Sequence, residues 1–317
     1  MSSPSFRPLM LATLVDEPVE GDDWIFERKL DGIRLLIVRD HDTLHLYTRN
    51  EVDHTERYPE LHDALIHQRC DRYVVDGEVV AFDGARTSFA RLQGRSGLSD
   101  PDQIVATGIA VKLYLFDMVH LDGEDRDELA LRDRKALLRD AFDFDDPLRF
   151  CSHRNADGPA FLEQACRDGW EGLIAKRARS RYQSGRSRDW LKLKCTARQE
   201  FVIGGFTDPT GSRSRFGALL LGYRCDDALV YAGRVGTGFD QQTLEELGDE
   251  LERRERPDSP FDDAPDDDVH WVRPDLVCEI GFTEWTNDGK LRHPRYLGLR
   301  EDKSAEDVVR EEPEASP

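Results

Sequence analysis

The first two thirds of the chain alternate short apolar runs with amphipathic stretches. Runs rich in β-branched and aromatic residues predict strands, and they lie at 24–26, 33–38, 44–48, 73–82 and 113–116. Apolar positions that repeat every three or four residues predict helices, and they lie at 58–68, 127–142 and 159–167. Strands interrupted by helices in this way indicate an α+β domain with a largely antiparallel sheet.

After residue 197 the pattern changes to short strands separated by glycine turns. The runs that predict strands lie at 201–206, 216–223, 229–235 and 276–285, with one helix at 241–254. About five strands and one helix favour a small Greek-key barrel of the OB type, although an SH3-like barrel would give a similar pattern. The sequence therefore predicts a domain over 1–197, an OB-fold domain over 198–304, and an acidic, disordered tail over 305–317.

Composition excludes several classes of protein. Hydrophobic residues make up 38% of the chain, which is enough to fill two cores and excludes a disordered polymer. No apolar run approaches the roughly 20 residues that cross a bilayer, and the N-terminal residues do not resemble a secretory signal, so we expect a cytoplasmic protein. The six cysteines lie far apart without a C-x-x-C pair, which predicts isolated thiols rather than disulfides or a zinc site.

Charge is distributed unevenly along the chain. The net charge of −20 argues against a polyanionic partner, yet the segment 176–198 contains nine basic residues and one acidic residue. A basic stripe of this kind predicts an anionic ligand, and Arg213 and Arg215 could add to it. The acidic excess has two explanations that the sequence leaves open, a salt-rich cytoplasm or a codon bias that raises Arg and Asp together.

Lysine is scarce, with 8 Lys against 36 Arg, so each retained lysine is of interest. A lysine can lose its proton and act as a nucleophile, whereas a guanidinium cannot. Lys29 stands in the segment E-R-K-L-D-G-I-R, between a predicted strand and a D-G turn. The K-x-D-G pattern alone also fits an ordinary surface lysine, so the rest of the chain must decide.

Further charged and aromatic residues interrupt the predicted strands. Glu78 lies in the middle of an apolar strand, where it should meet a metal, a cation or a sugar hydroxyl because an unpaired buried carboxylate is costly. Phe116 ends a strand and fits either the core or a stacking platform. Lys192 and Lys194 alternate along a strand and share a face, which indicates an anion between them because adjacent like charges repel.

Taken in order, these segments resemble the motifs of covalent nucleotidyltransferases, and in particular of ATP-dependent DNA ligases. The motifs are K-x-D-G-x-R from Lys29, D-G-E ending at Glu78, F-D-x-x-x-L-D-G from Phe116, E-G-L-x-x-K from Glu171, W-L-K-x-K from Trp190 and R-x-D-K from Arg300. The flanking sequence at 211–223, 233–239 and 292–303 is similar to the ligase module of bacterial end-joining ligases of the ligase D type.

The resemblance implies an adenylation domain in which ATP is a substrate, together with Mg²⁺ or Mn²⁺. Lys29 matches the nucleophile that attacks the α-phosphate, Glu27 the residue that reads the adenine edge, and Phe116 the ring that stacks on the base. The other nucleotide-binding positions that it implies are Arg34, Arg49, Glu78, Lys176, Arg186, Lys192, Lys194, Arg300, Asp302 and Lys303. Glu78 and Glu171 match the carboxylates at the metal.

The implied reaction seals nicks or ends through a lysyl-AMP intermediate and an adenylated DNA 5′-phosphate, in DNA repair or end joining. The implied partners are nicked or broken duplex DNA, a Ku-type end-binding protein and a separate repair polymerase, with no membrane and with the protein as a monomer. Two alternatives stay open. An RNA ligase or mRNA-capping-type guanylyltransferase shares most of the motifs, and a non-catalytic nucleic-acid end-binding protein could retain them.

Overall fold

The computed structural model divides the chain into two units at the position where the hydrophobic pattern changes. One unit extends to Cys195 and includes the C-terminal residues from Glu312, and the other is Thr196–Glu311. The structure describes residues 3–95, 97–155, 157–209, 214–263 and 268–314. Within these ranges, no helix is both long and apolar enough to cross a membrane.

The first unit contains strands and helices in mixed order, which confirms the predicted α+β class. Its strands are β1 (Met10–Leu14), β2 (Trp24–Arg28), β3 (Ile33–Asp40), β4 (Thr43–Thr48), β5 (Arg72–Asp83), β6 (Arg86–Thr87), β7 (Val111–Leu121), β8 (Glu124–Asp125), β9 (Leu148–Phe150), β10 (His153–Asn155), β11 (Gly172–Arg177) and β12 (Gly185–Lys194). Its helices are α1 (Pro59–Ile66), α2 (Phe89–Gln93), α3 (Pro101–Ala106), α4 (Leu131–Ala141) and α5 (Gly158–Arg167). The short helices α2 and α3 were not expected from the sequence, because neither is long enough to show a helical repeat.

The strands of this unit form two sheets. The first has the order β1-β12-β11-β2-β10, and the second has the order β4-β3-β5-β7-β8 with β6 beside β5 and β9 beside β7. Pairing is antiparallel except for β1 with β12 and β7 with β9. The sheets are therefore largely antiparallel, as predicted.

Strand β3 shows how the two sheets share the core. Leu35 and Ile37 face a core that includes residues of α1 and α4, while Leu36 and Val38 face a core that includes residues of β1 and β12 from the other sheet. Because side chains alternate along a strand, an uninterrupted apolar run is buried on both faces. The second sheet is thus covered by helices on one side and by the first sheet on the other.

The second unit is built around one long strand. Its elements are β13 (Ala197–Phe206), β14 (Leu219–Cys225), β15 (Ala228–Val235), α6 (Gln241–Glu252), β16 (Glu255–Arg256), β17 (His270–Val272), β18 (Val277–Phe282), β19 (Glu284–Trp285), β20 (Leu291–Arg292) and β21 (Arg295–Leu299). Strand β13 pairs with β14, β17 and β18, and β18 pairs with β21. The single predicted strand at 276–285 is in fact two, β18 and β19.

The structure describes residues 305–314 of the segment predicted to be an acidic, disordered tail. A short 3-10 turn spans Ala305–Asp307, and Ala305 and Val308 are buried in the second unit. Farther on, Glu314 pairs with Arg188 of the first unit's β12, at the C-terminal end of the described residues. The acidic composition of this segment conceals the few apolar side chains that anchor it.

The cysteines also differ from expectation. Cys166 at the end of α5 and Cys195 just after β12 form a disulfide, whereas Cys70, Cys151, Cys225 and Cys278 are free thiols. The two bonded residues are separated by 29 positions in the sequence. Only the packing of α5 against the first sheet brings them together, and their spacing does not indicate it.

An ion pair with no exposed surface joins α4 to the second sheet. The guanidinium of Arg134 donates from Nε and Nη2 to Asp117 Oδ1 and Oδ2 at 2.7 and 2.8 Å, and both side chains are fully buried. Arg134 Nη1 also donates to the carbonyl of Ser180 at 2.9 Å. Removing only one partner of such a buried, hydrogen-bonded pair destabilises the fold, because the other partner remains as an unpaired buried charge.

We expect Asp117→Ala to lower the free energy of unfolding by about 3–5 kcal/mol, because Arg134 would remain as an unpaired buried charge. Urea unfolding of the whole chain would measure the change. The control is Glu163→Ala, which removes an exposed partner of Arg167 and should change the free energy by less than about 0.5 kcal/mol. A loss with Asp117→Ala as small as that of the control would contradict this role for the pair.

Candidate active site

A cavity lies in the first unit. Its described lining residues come from both sheets, and they are Ala12, Glu27, Arg28, Lys29, Leu30, Arg34, Glu78, Phe116, Cys151, Ile174, Lys176 and Trp190. Six of the residues proposed from the sequence are among them. The cavity is therefore the candidate active site.

Lys29 directly follows β2 on the cavity wall. Its backbone N–H donates to the carbonyl of Gly172 in β11 at 2.9 Å, which extends the pairing of these strands. The Nζ of Lys29 lies 2.5 Å from Oε1 of Glu171, whose side chain is 5% exposed. The candidate nucleophile is therefore held against a buried carboxylate, which favours the protonated amine.

The turn at Asp31 and Gly32 brings Glu78 to the same wall. The backbone N–H of Gly32 donates to Glu78 Oε1 at 3.0 Å. A Cβ at Gly32 would lie 2.1 Å from the carbonyl oxygen of Val79, so a side chain at this position would collide with β5. The K-x-D-G motif thus requires glycine at this position because two backbones approach too closely for a side chain.

Arg34 is fixed by neighbours within the first unit. It donates from Nε and Nη2 to the two carboxylate oxygens of Asp76 at 2.9 and 2.6 Å, and Tyr182 donates its hydroxyl to Asp76 at 2.7 Å. Burial alone would lower the pKa of Arg34, but the Asp76 carboxylate outweighs it and the pKa is raised. Arg34 lines the cavity as a permanently charged group in a bidentate pair.

Glu27 lies in β2 and is 2% exposed. Its carboxylate is shared by two ammonium groups, with Lys176 Nζ 2.7 Å from Oε2 and Lys135 Nζ in contact with Oε1. Burial raises the pKa of Glu27, but the two lysines outweigh this effect and the pKa is lowered. Glu27 is therefore a buried anion in the cavity wall.

Lys135 is a site residue that the sequence reasoning missed. It lies in α4, and its Nζ also donates to the carbonyl of Cys151 at 2.9 Å. The buried residues of α4 are Leu131, Arg134, Lys135 and Leu138. These residues are spaced three or four apart, as on the face of a helix that packs against the core. The presence of Arg134 and Lys135 on that buried face is the signal that could have identified Lys135. None of the recognised motifs includes α4.

Two aromatic rings form one side of the cavity. The ring centroids of Phe116 and Trp190 are 6.1 Å apart with an interplanar angle of 77°, and Lys176 Nζ lies 4.2 and 3.9 Å from them. Phe116 also belongs to the core between the sheets. The core and platform interpretations of Phe116 are therefore compatible, because the residue belongs to the core and also lines the cavity.

The strand register places Lys192 and Lys194 on the cavity side of the first sheet. Lys192 pairs with Ile174 and Lys194 pairs with Gly172. Side chains directly opposite each other on paired strands share a face, and Ile174 lines the cavity. Lys192 and Lys194 therefore lie on the same face of the first sheet as Ile174, which is the face toward the cavity.

Two other arginines that the sequence proposed for the site, Arg186 and Arg49, are not among the described residues that line the cavity. Arg186 is exposed in β12 and donates to the carbonyl of Ala12 at 2.8 Å, which puts it at the rim. Arg49 follows β4 and is not among the described residues that line the cavity. Strand β4 is at the sheet edge, with β3 between it and β5, so Arg49 starts from a more distant strand.

Glu78 and Glu171 are the carboxylates that could hold a divalent cation. Among the described residues, no group of three or more His, Cys, Asp or Glu side chains is arranged to bind a metal. Mg²⁺ typically takes only one or two carboxylates from a protein and completes its shell with phosphates and water. Glu171 beside Lys29 and Glu78 in the cavity lining therefore fit a cation that takes two carboxylates from the protein.

The last motif belongs to the second unit and is paired within it. Arg300 donates from Nε and Nη2 to Asp302 at 2.9 and 2.8 Å and lies 3.2 Å from Glu279. Lys303 lies 3.3 Å from Glu200, which is directly opposite Glu279 on the neighbouring strand. Burial raises the pKa of Asp302, but Arg300 outweighs it and the pKa is lowered.

The basic segment 176–198 does not form one stripe, contrary to expectation. Lys176 lines the cavity, whereas the next residue, Arg177, lines a second cavity with Arg179 and Arg181. Successive residues of a strand point to opposite faces, so a charge run on a strand divides between two surfaces. Of the further arginines, Arg213 lies outside the described residues and Arg215 pairs with Glu252 at 3.0 Å.

Comparisons with known proteins agree with the geometry. Residues 9–194 match the model of the ATP dependent DNA ligase domain, and residues 212–303 match that of the ATP dependent DNA ligase C terminal region. The chain is 40% identical to the multifunctional non-homologous end joining protein LigD of Pseudomonas aeruginosa, over 97% of this chain and 37% of the relative. It is 37% identical to the corresponding protein of Mycobacterium tuberculosis, over 92% of this chain and 38% of the relative.

A solved structure of mycobacterial DNA ligase D with ATP has the same fold, with a TM-score of 0.69 and 34% identity over 96% of this chain and 98% of that one. The chain spans less than two fifths of the length of the curated relatives named above. These matches confirm the predicted resemblance and favour the ligase interpretation over the RNA ligase and capping alternatives. They also support an adenylation domain followed by an OB-type domain. The chain therefore belongs to the family of ATP-dependent DNA ligases.

Proposed function

We propose that the chain seals breaks in duplex DNA through a lysyl-AMP intermediate on Lys29. The observation that carries this proposal is the position of Lys29 on the cavity wall, 2.5 Å from Glu171. Lys192 projects from the same sheet toward that side. A lysine beside further cations and an aromatic wall can bind a nucleoside triphosphate with its α-phosphate near an amine.

The loading step requires Lys29 to lose its proton, because an ammonium has no lone pair for attack. The neutral amine then forms a bond to the α-phosphorus while the bond to the departing pyrophosphate breaks. Lys192 and Lys194 would stabilise the charge on the phosphoryl oxygens in the transition state. The ion pair with Glu171 opposes proton release, so it must loosen when the nucleotide binds.

We assign Glu171 and Glu78 to the divalent cation that the family uses. Mg²⁺ or Mn²⁺, when bound, would neutralise phosphate charge during the transfer. Glu171 would exchange its contact with Lys29 for the cation, and this exchange would free the amine. Glu78 is kept in place by the N–H of Gly32.

The base would lie between the aromatic wall and Glu27. Phe116 lines the cavity, and the base would stack on its ring, which is the common way that proteins hold bases. Glu27 is a buried anion, and an ionised carboxylate accepts hydrogen bonds. It would therefore accept from the amino group of adenine.

The second unit would supply cations for the phosphates that leave. Arg300 and Lys303 match the motif that serves pyrophosphate in the family, and in this structure both are paired with carboxylates of their own unit. They would have to exchange those carboxylates for phosphate during loading. AMP would then pass from Lys29 to a DNA 5′-phosphate, and attack by the 3′-hydroxyl would seal the strand and release AMP.

The role in the cell is proposed from the relatives. The curated relatives named above are multifunctional end-joining proteins, and this chain spans 37% and 38% of their lengths. We propose that the chain supplies the sealing step of end joining on broken duplex DNA. A Ku-type end-binding protein and a separate repair polymerase would supply the steps before it.

Lys29→Ala should abolish covalent labelling by α-labelled ATP and Mg²⁺, because the only proposed acceptor amine is removed. Labelling is read on a denaturing gel, on which the phosphoramidate migrates with the protein. The control is Lys112→Ala, which removes an amine paired with Asp146 in the same unit and should leave labelling intact. Labelled Lys29→Ala protein would contradict the assignment.

Glu171→Ala should fold and yet load AMP more slowly by about 30- to 1,000-fold, which corresponds to the 2–4 kcal/mol of one main electrostatic contact. Single-turnover labelling of the variant measures the rate. Glu163→Ala removes an equivalent carboxylate from an exposed ion pair and is the matched control. A near-normal loading rate with Glu171→Ala would rule out its role at the metal.

The acidic surface should make DNA joining tolerant of salt. Each phosphate contact normally lowers log affinity by about 0.9 per log unit of salt, but with a net charge of −20 salt also screens repulsion from DNA. We expect the rate of nick joining and the midpoint temperature of thermal unfolding to be maintained well above physiological ionic strength. A KCl series into the molar range measures both. A steady fall of both from low salt upward would show that the acidity reflects codon bias alone.

A further inference from the structure

We propose that Lys135 is a positioning residue that sets purine specificity by holding Glu27 in the cavity wall as an acceptor-only carboxylate. The inference rests on the proposed nucleotide site and extends it to a residue outside the recognised motifs. It starts from the observation that Glu27 has two lysine partners, although one would neutralise it.

Lys135 is held on every side. Its Nζ contacts Glu27 Oε1 and donates to the carbonyls of Cys151 at 2.9 Å and Phe116 at 3.4 Å. An ammonium has three N–H donors, so each of them has an acceptor. The neighbouring residue Arg134 binds Asp117 with two hydrogen bonds and anchors α4 to β7. Lys135 therefore stays in place whatever enters the cavity.

Lys176 is held differently. It lines the cavity, whereas Lys135 is not among the described lining residues. Its Nζ contacts Glu27 Oε2 at 2.7 Å and lies over the rings of Phe116 and Trp190. Lys176 is thus the partner that a bound base would meet, and Lys135 is the partner behind Glu27.

The charges separate the two lysines in the same way. Burial lowers the pKa of both. For Lys135 the attraction of Glu27 outweighs burial, and the pKa is raised. For Lys176 burial and the repulsion of Lys135 prevail, and the pKa is lowered. Both directions agree with the geometry, in which Lys176 lines the cavity and Lys135 is not among the described lining residues.

Other titratable groups near Glu27 do not compete for this role at neutral pH. His153 lies directly opposite Glu27 on β10, and burial together with the charge of Lys135 lowers its pKa. Burial raises the pKa of the Cys151 thiol to about 12. Both groups are neutral near pH 7.5, so the positive charge beside Glu27 comes from the lysines.

The consequence for specificity follows from hydrogen-bond chemistry. An ionised carboxylate only accepts, whereas a protonated carboxyl can also donate. Adenine presents an amino donor at C6, and hypoxanthine or guanine presents a carbonyl acceptor there. An ionised Glu27 opposite C6 would accept from the amino group of adenine and would repel a carbonyl at the same position. Without Lys135, Glu27 would keep only Lys176 against the effect of burial, so its pKa would rise toward the protonated form, which could donate to the carbonyl.

The test measures adenylation of Lys29 with ATP and the corresponding inosinylation with ITP, whose base has a carbonyl at C6 and an N1–H in place of the amino group and the unprotonated N1 of adenine. Single-turnover labelling gives kcat/KM for each nucleotide in the unaltered chain, Lys135→Met, Glu27→Gln and the double variant. Lys135→Met should lower the ATP-over-ITP ratio by about tenfold, mainly through KM for ATP. In the Glu27→Gln background the same substitution should change the ratio by less than about twofold, because the charge held by Lys135 is already absent.

Further variants separate positioning from folding. Lys112→Met makes the same change at a lysine paired with Asp146 and should leave the ratio unaltered. Lys135→Gln keeps a donor for the two carbonyls without the charge, and it should reproduce the loss if Lys135→Met does not fold. Lys135→Arg retains the charge and should restore part of the ratio.

Three outcomes are distinct. A folded Lys135→Met or Lys135→Gln protein with an unchanged ratio would overturn the inference and leave the proposed function standing. An equal fall in both Glu27 backgrounds would show that Lys135 does not act through Glu27, which also overturns it. An unaltered chain that is labelled by neither nucleotide would overturn the proposed function and the inference with it.

Discussion

Charge buried between two sheets must be neutralised there, and this constraint governs how the first unit is built. Glu27 lies between Lys135 and Lys176, and Arg134 is paired with Asp117. The partners come from different elements, β2, α4, β11 and β7, so each pair ties the wall of the cavity to its support. An isolated charge here would be costly. Paired charges instead fix the position of the surrounding elements, because the loss of one partner would leave the other as an unpaired buried charge and would destabilise the fold.

The two parts of the cavity differ in chemistry. One end has aromatic rings and a buried anion, which suits a flat base with a hydrogen-bond donor. The other end has Lys29 against Glu171, with Lys192 on the same sheet, which suits phosphate chemistry. Burial strengthens every electrostatic interaction in the site. Six of the twelve described lining residues are charged, and Lys29 and Lys176 are the lysines among them.

The second unit follows the same rule with different residues. Glu200 and Glu279 stand opposite each other on paired strands, an arrangement that would be repulsive without Arg300 and Lys303. Asp302 completes the cluster with two hydrogen bonds from Arg300. The cations of the last motif are thus held in place by carboxylates of their own unit. The acidic composition of the chain consequently includes carboxylates with specific cationic partners.

The sequence by itself determined the two-part organisation, most strands, the α+β class and the motif residues such as Lys29 and Glu78, because hydrophobic period and local turn chemistry are encoded over a few positions. It did not show the disulfide between Cys166 and Cys195, nor that Arg177 faces away from Lys176 into a different cavity. Lys135 also remained unidentified, because its role depends on α4 packing against Glu27. These features depend on contacts between residues far apart in sequence, and only the tertiary structure decides which buried charges meet.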